Sequence, residues 1–210
     1  MPRKWKRILS LMTVLLIPTT LWIIQITQGY VPYVDRWTRT FVETAAGTRV
    51  YDIFFFITQF GSREFLIPFV IVMAIVLRIV LKNWFAPVIF AFGTLLSYEL
   101  NGVIKAIVMR ERPSILVEAN AVGESFPSGH AMISMVCYGI LAYFLARGIK
   151  SRKQANSIYV LFSTVILLIG ISRYIINVHY LTDIVAGYFF GCILLLFYIY
   201  FYEKVTKKSR

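Results

Sequence analysis

The sequence predicts an all-α, polytopic membrane protein: one domain, residues 1–210, with six transmembrane helices and one or two interfacial helices in the first outward loop. Three observations carry that reading. Of 210 residues, 59% are hydrophobic and 15% charged, whereas soluble domains average roughly 45–50% apolar and about 25% charged. Six apolar segments approach the ~20 residues a helix needs to cross a hydrocarbon core. The basic residues gather between those segments. The first two observations exclude a disordered chain, a coiled coil and an ordinary soluble enzyme.

The six segments are 8–28, 65–81, 84–104, 130–146, 155–176 and 184–202. Pro18 interrupts the first, as a membrane helix tolerates. That run is longer than the apolar core of a secretory signal, and no small-x-small cleavage site follows it, so it reads as an uncleaved span. With a cytoplasmic N-terminus, the stretches 1–7, 78–82, 147–153 and 203–210 face the cytoplasm. They hold 14 of the 22 Lys/Arg and one of the 10 acids, Glu203. This positive-inside pattern predicts that both termini are cytoplasmic. The net charge of +12 is therefore topological, with attraction to anionic lipid as a by-product. Nucleic acid is not an expected partner.

The first outward loop, 29–64, carries Asp35, Arg36, Arg39, Glu43, Arg49 and Asp52 with an aromatic run over 51–60, the pattern of amphipathic helices at an interface. The second, 105–129, is polar, and a short third, 177–183, lies on the same side. Cys137 and Cys192 fall inside the fourth and sixth spans, where neither a disulfide nor a zinc site is expected.

Charge at or in a bilayer is expensive and points to function. An unusual set falls at the outward ends of the spans: Lys105 and Arg112; Ser128, Gly129 and His130; Ser172 and Arg173; His179 and Asp183. Both histidines of the chain are among them. Seven residues make two helical turns, so Lys105 and Arg112 are expected on one helix face, with Pro113 ending the helix. With Arg173 they form a triple cationic clamp suited to phosphate oxygens. Pro127-Ser128-Gly129-His130 reads as a helix start whose unpaired amides favour an anion. His179 and Asp183, four apart, are expected to share a helix face. The carboxylate would hold one imidazole nitrogen and leave the other as nucleophile, with His130 as general acid. A metal cage is not expected, because the cations oppose a dication. Singly, each feature has a bland counterpart, such as a snorkelling cation or a turn into a helix. Those counterparts predict scatter over both faces, and the set falls on one.

Lys105-x6-Arg112-Pro113, Pro127-Ser128-Gly129-His130 and Ser172-Arg173-x5-His179-x3-Asp183 together resemble the three-part signature of the type 2 phosphatidic acid phosphatase superfamily, spanning 105–183. The resemblance is complete in order and spacing, and short termini place the chain near the bacterial membrane lipid phosphatases. It implies a metal-independent, cofactor-free phosphohydrolase of the bacterial inner membrane, with its active site facing outward and a lipid phosphate from the bilayer as substrate. It also implies His179 as nucleophile, Asp183 as its orienter and His130 as acid and base, with Lys105, Arg112, Ser128, Gly129 and Arg173 on the phosphoryl oxygens. The soluble vanadium haloperoxidases share the constellation, but six spans argue against them. Phosphatidylglycerophosphate is the first substrate the resemblance offers and undecaprenyl pyrophosphate the second. A phosphate or lipid transporter is the competing class, although repeated halves and midplane helix breaks are not evident. Glu99, six residues before Lys105, is either a paired carboxyl between helices or a cavity residue orienting a polar headgroup.

Overall fold

The computed structural model of the protein describes residues 3–45, 47–113 and 123–208. Eight α-helices and one 3-10 turn account for the regular structure, and no strand occurs among the described residues. In chain order they are α1 (Arg3–Thr27), α2 (Tyr33–Glu43), α3 (Arg49–Thr58), the 3-10 turn Gln59–Gly61, α4 (Arg63–Leu81), α5 (Phe85–Val108), α6 (Gly129–Arg147), α7 (Arg152–Ile175) and α8 (Leu181–Lys208). Helices α4 to α8 are each long and apolar enough to span a bilayer, and α1 adds a shorter apolar stretch, Leu16–Thr27. The 29–64 region forms two short helices, α2 and α3.

Local sequence sets the helix ends. Ser62, Ser128 and Ser151 are N-caps whose side chains accept from Phe65 N, Ala131 N and Gln154 N, satisfying donors a helix start leaves open. Asn83 does the same for Ala86 N at 3.0 Å. Helices α4 and α5 stop where Lys82 and Met109 turn left-handed, at φ 54° and 48°. Pro18 and Pro68 lie inside α1 and α4.

Helix α6 is the centre of the bundle, packed by α5, α7 and α8. Helices α4 and α1 lie outside it, and α2 and α3 sit over the ends of α8 and α7. Two small residues on α8 allow the closest approach. A Cβ on Gly187 would stand 2.7 Å from the Ser128 carbonyl, and one on Gly191 2.7 Å from that of Met132. Small residues let membrane helices touch at the backbone, and here they bring the start of α8 against the start of α6. Tyr138 reaches from α6 to donate to the Phe60 carbonyl at 2.6 Å. Phe60, Phe65, Phe69 and Tyr138 then pack ring against ring in sequence, edge-on, stacked and tilted in turn, so Phe60 at the end of the aromatic run ties the interfacial layer to the bundle. Cys137 and Cys192 are free thiols.

The connections α4–α5, α6–α7 and α7–α8 are short, so the helices alternate in direction. One end of the bundle gathers the starts of α1, α5 and α7 and the ends of α4, α6 and α8, where the basic stretches lie. The opposite end holds α2, α3 and every polar motif residue.

Candidate active site

His179 lies in the turn between α7 and α8, ahead of the helix and not on it. The amides of Val178 and His179 both donate to the Arg173 carbonyl, at 3.1 and 3.3 Å, which pins the imidazole beneath the end of α7. The residue is 3% exposed. Its Nε2 lies 3.2 Å from Arg112 Nη1, and its Nδ1 lies 3.3 Å from Ser125 Oγ. A guanidinium only donates, so Nε2 carries the lone pair and Nδ1 the proton. The Ser125 hydroxyl donates onward to Asp183 Oδ2 at 2.5 Å.

Two expectations change here. His179 and Asp183 were to share a helix face with a direct hydrogen bond. Instead the chain kinks at Asn177, φ 59°, Nδ1 and Oδ2 stand 3.5 Å apart, and the Ser125 hydroxyl bridges them. Asp183 is occupied by its own helix start, where Oδ2 also accepts from Tyr180 N at 2.9 Å. The sequence signal for Ser125 was its place two residues before Pro127, in the segment that must cross the pocket to reach α6.

The three cations of the expected clamp come near one another by another route. Lys105 and Arg112 do not share a helix face, because α5 ends at Val108 and Met109 reverses the backbone. The residue before a proline is disfavoured in a helix, and Arg112 precedes Pro113. Lys105 Nζ donates to the Glu124 carbonyl. Arg112 Nε donates to the Gly123 carbonyl and its Nη1 to the Val178 carbonyl, both at 2.8 Å. Arg173, 7% exposed, donates to Thr58 Oγ1 at 3.0 Å, and its buried Nε has no hydrogen-bond partner among the described residues. Lys105, Arg112, Arg173 and His179 all interact electrostatically with His130 in the first turn of α6. Burial, followed by the charges of Arg112, Arg173 and Lys105, holds the His179 pKa well below the ordinary histidine value, so the imidazole is neutral near pH 7.

Ser128 caps α6 and donates its amide to the Asp183 carbonyl at 2.9 Å, tying two motifs together. Gly129 packs on Asn101 Oδ1, which a Cβ would approach to 3.1 Å. Asn101 Nδ2 donates to the Pro127 carbonyl at 3.3 Å. The polar pair on α5 thus splits. Asn101 supports the Pro127–Gly129 turn, while Glu99 is exposed on another side of α5. Glu99 therefore neither pairs between helices nor lines the pocket, because two residues along a helix turn a side chain by about 200°.

Sequence reasoning missed Arg110 entirely. It is buried, and its guanidinium joins Asp183 Oδ1 at 2.5 Å and Asp35 Oδ2 at 2.7 Å, lying 3.9 Å over the Tyr180 ring. Asp35, expected on an interfacial surface, is only 2% exposed. A third cation between Lys105 and Arg112 was the available signal. Nothing in the spacing said which of the three would turn away. Residues 114–122 of the second outward loop lie outside the described residues.

The buried pocket thus holds one histidine whose Nε2 faces a guanidinium, a second histidine and two further cations, at one end of a helical membrane bundle. Residues 86–207 match the PAP2 superfamily, and the chain belongs to it. It is 31% identical to phosphatidylglycerophosphatase B of Bacillus subtilis (strain 168) over 153 residues, covering 72% of this chain and 74% of that one. It is also similar to the crystal structure of a transmembrane PAP2-type phosphatidylglycerolphosphate phosphatase from Bacillus subtilis, with a TM-score of 0.77 and 26% identity, covering 90% of this chain and 96% of that chain. The protein is a membrane phosphatase.

Proposed function

We propose that the protein hydrolyses the phosphate monoester of phosphatidylglycerophosphate, or of a lipid phosphate close to it, through a phosphohistidine on His179 and without a metal. The single observation that carries this reading is the state of His179: neutral, with Nδ1–H held toward Ser125 and the Nε2 lone pair facing Arg112. The names of the two Bacillus subtilis relatives support the choice of lipid.

A phosphate arriving at the pocket takes the guanidinium of Arg112 from Nε2, with Lys105, Arg173, the Ser128 hydroxyl and the Gly129 amide on its other oxygens. Donors aimed at developing charge are the largest usual source of rate in such sites. Nε2 attacks phosphorus and the bond to the glycerol oxygen breaks. His130, protonated once the bound phosphate dianion offsets the surrounding cations, gives its proton to that departing oxygen, while Nδ1 of His179 keeps its own. Neutral His130 then takes a proton from water as the water oxygen attacks phosphorus. The N–P bond breaks, inorganic phosphate leaves, and both histidines return to their starting states. The clamp's three cations disfavour a metal dication in the same space.

The positive-inside rule supports a cytoplasmic basic end, and with it a site at the outer leaflet of a bacterial inner membrane. His179→Ala is expected to abolish turnover, and non-acidic quenching of wild type to trap phosphate on histidine. Retained turnover in that variant, or strong inhibition by EDTA, overturns the scheme. Parallel assays on phosphatidylglycerophosphate, undecaprenyl pyrophosphate and phosphatidic acid choose the substrate. Net phosphate release from lipid in detergent separates an enzyme from a carrier.

A further inference from the structure

The mechanism above leaves one buried structure unused. Asp35, on interfacial helix α2, is folded into the ion chain Asp35–Arg110–Asp183. Asp35 Oδ1 accepts from the amide of Thr182 at 3.0 Å, and Oδ2 from the Thr182 hydroxyl at 2.6 Å and from Arg110 Nη2 at 2.7 Å. Arg110 Nη1 reaches both the Thr182 hydroxyl, at 2.8 Å, and Asp183 Oδ1, at 2.5 Å. Asp35 thereby caps the start of α8 from another helix, supplying the acceptor and the negative charge that a helix start favours.

Buried ion pairs are weak devices for stability and are best attested where they fix one arrangement among several. Here the arrangement fixed is that of Asp183. Its Oδ1 is taken by Arg110 and its Oδ2 by Ser125, so the carboxylate cannot rotate without breaking a charged contact. The Ser125 hydroxyl it orients is the acceptor facing His179 Nδ1. Arg110 alone would also draw the charge of Asp183 away from the histidine, and Asp35 balances it from the far side. Opposite Asp35, Tyr33 and Trp37 are 73% and 69% exposed and four residues apart. They give α2 an aromatic face of the kind that sits at a membrane surface, with the ion pair on its reverse.

We propose that Asp35 and Arg110 are positioning residues for His179: docking of α2 onto the start of α8 through this pair holds Asp183 and Ser125 in the orientation that keeps the Nε2 lone pair aimed at phosphate. The proposal rests on His179 as nucleophile. It concerns the rate of phosphoryl transfer and not the capture of phosphate, because neither residue belongs to the clamp.

The test uses the full chain in detergent with a lipid phosphate substrate, comparing Asp35→Asn, Arg110→Met and the double variant. Asp35→Asn keeps shape while removing charge. It is expected to lower kcat by roughly tenfold or more, with KM and the inhibition constant of inorganic phosphate within about threefold of wild type, the signature of a contact that matters in the transition state. The double variant removes a cation and an anion together. It is expected to recover at least about threefold over Arg110→Met, a coupling that distant, independent sites do not show. Losses that simply multiply in the double variant, or a rise in KM matching the fall in kcat, overturn the proposal. Should Arg110→Met fail to fold by size exclusion, Asp35→Asn and Asp35→Glu decide alone. Partial rescue of kcat by the glutamate, with unchanged KM, upholds the proposal, and wild-type kcat in Asp35→Asn ends it. His179→Ala is run beside them. Full turnover there removes the nucleophile assignment itself, a different result from wild-type turnover in the Asp35 variants alone.

Discussion

Arg110 and Arg112 are two residues apart and lie on opposite sides of the turn that carries His179. Arg110 donates to two carboxylates and stacks on Tyr180. Arg112 donates to the carbonyls of Gly123 and Val178 and touches His179 Nε2. The same division runs through the pocket. On the Nδ1 side, carboxylates fix geometry and cancel charge. On the Nε2 side, carbonyl and hydroxyl oxygens hold Lys105, Arg112 and Arg173 in place. A neutral oxygen anchors a cation without cancelling its charge; the Asp183 and Glu124 carboxylates act on Lys105 and Arg112 through space and not through hydrogen bonds, so that side is the one suited to a dianionic phosphate. Position is set on one side of His179 and affinity on the other.

Substitutions on the two sides should therefore fail differently. The largest effect is expected at the boundary itself, where His179→Ala should cost at least about a thousandfold in kcat/KM; phosphate release from lipid measures it. Arg112→Ala, on the clamp side, should lose about 10²–10³ in kcat and weaken inhibition by vanadate, whose trigonal-bipyramidal form mimics the transition state. Unchanged vanadate inhibition would move Arg112 out of the clamp. Ser125→Ala, on the carboxylate side, removes one bridging hydrogen bond worth about 1–3 kcal/mol; it should lower kcat while leaving vanadate inhibition near wild type.

The pH response sharpens the same contrast. Burial and the neighbouring cations depress the His179 pKa in the folded protein, so the imidazole stays neutral as pH falls through 6.5. In the unfolded chain the same side chain takes up a proton near 6.5. The folded state therefore loses stability progressively as pH falls below about 6.5, down to the folded pKa. Thermal unfolding in detergent should show that loss, reduced in His179→Gln. The smallest effect is expected outside the comparison. Glu99→Gln, on the exposed side of α5, should leave turnover and headgroup preference unchanged.

The sequence made the fold legible because lipid imposes a strong rule. Backbone groups in hydrocarbon must be satisfied within their own helix, so apolar length alone locates spans, as at 65–81 and 130–146. The helix start at Ser128 and the interfacial helices of 29–64 were equally local. The site was legible only in part. Its motif residues cluster at one end of the bundle, as charge counting placed them, but their contacts did not follow helical spacing. Lys105 and Arg112 meet the pocket from a broken helix, and His179 meets Asp183 through Ser125. Asp35 and Arg110 were invisible as partners because 75 residues separate them and no periodicity joins them.

Composition, apolar run length and the sidedness of charge were properties of the chain itself, and they determined an α-helical membrane bundle with its polar motifs at the end opposite the basic stretches. Which cation faces His179 Nε2 and which faces a carboxylate was decided only in three dimensions. A left-handed residue at Met109 and close packing of α6 on α8 at Gly187 and Gly191 set those directions. Helical repeat governs neighbours within one segment; the partner of a buried charge is chosen by whichever opposite charge the packed helices bring within reach.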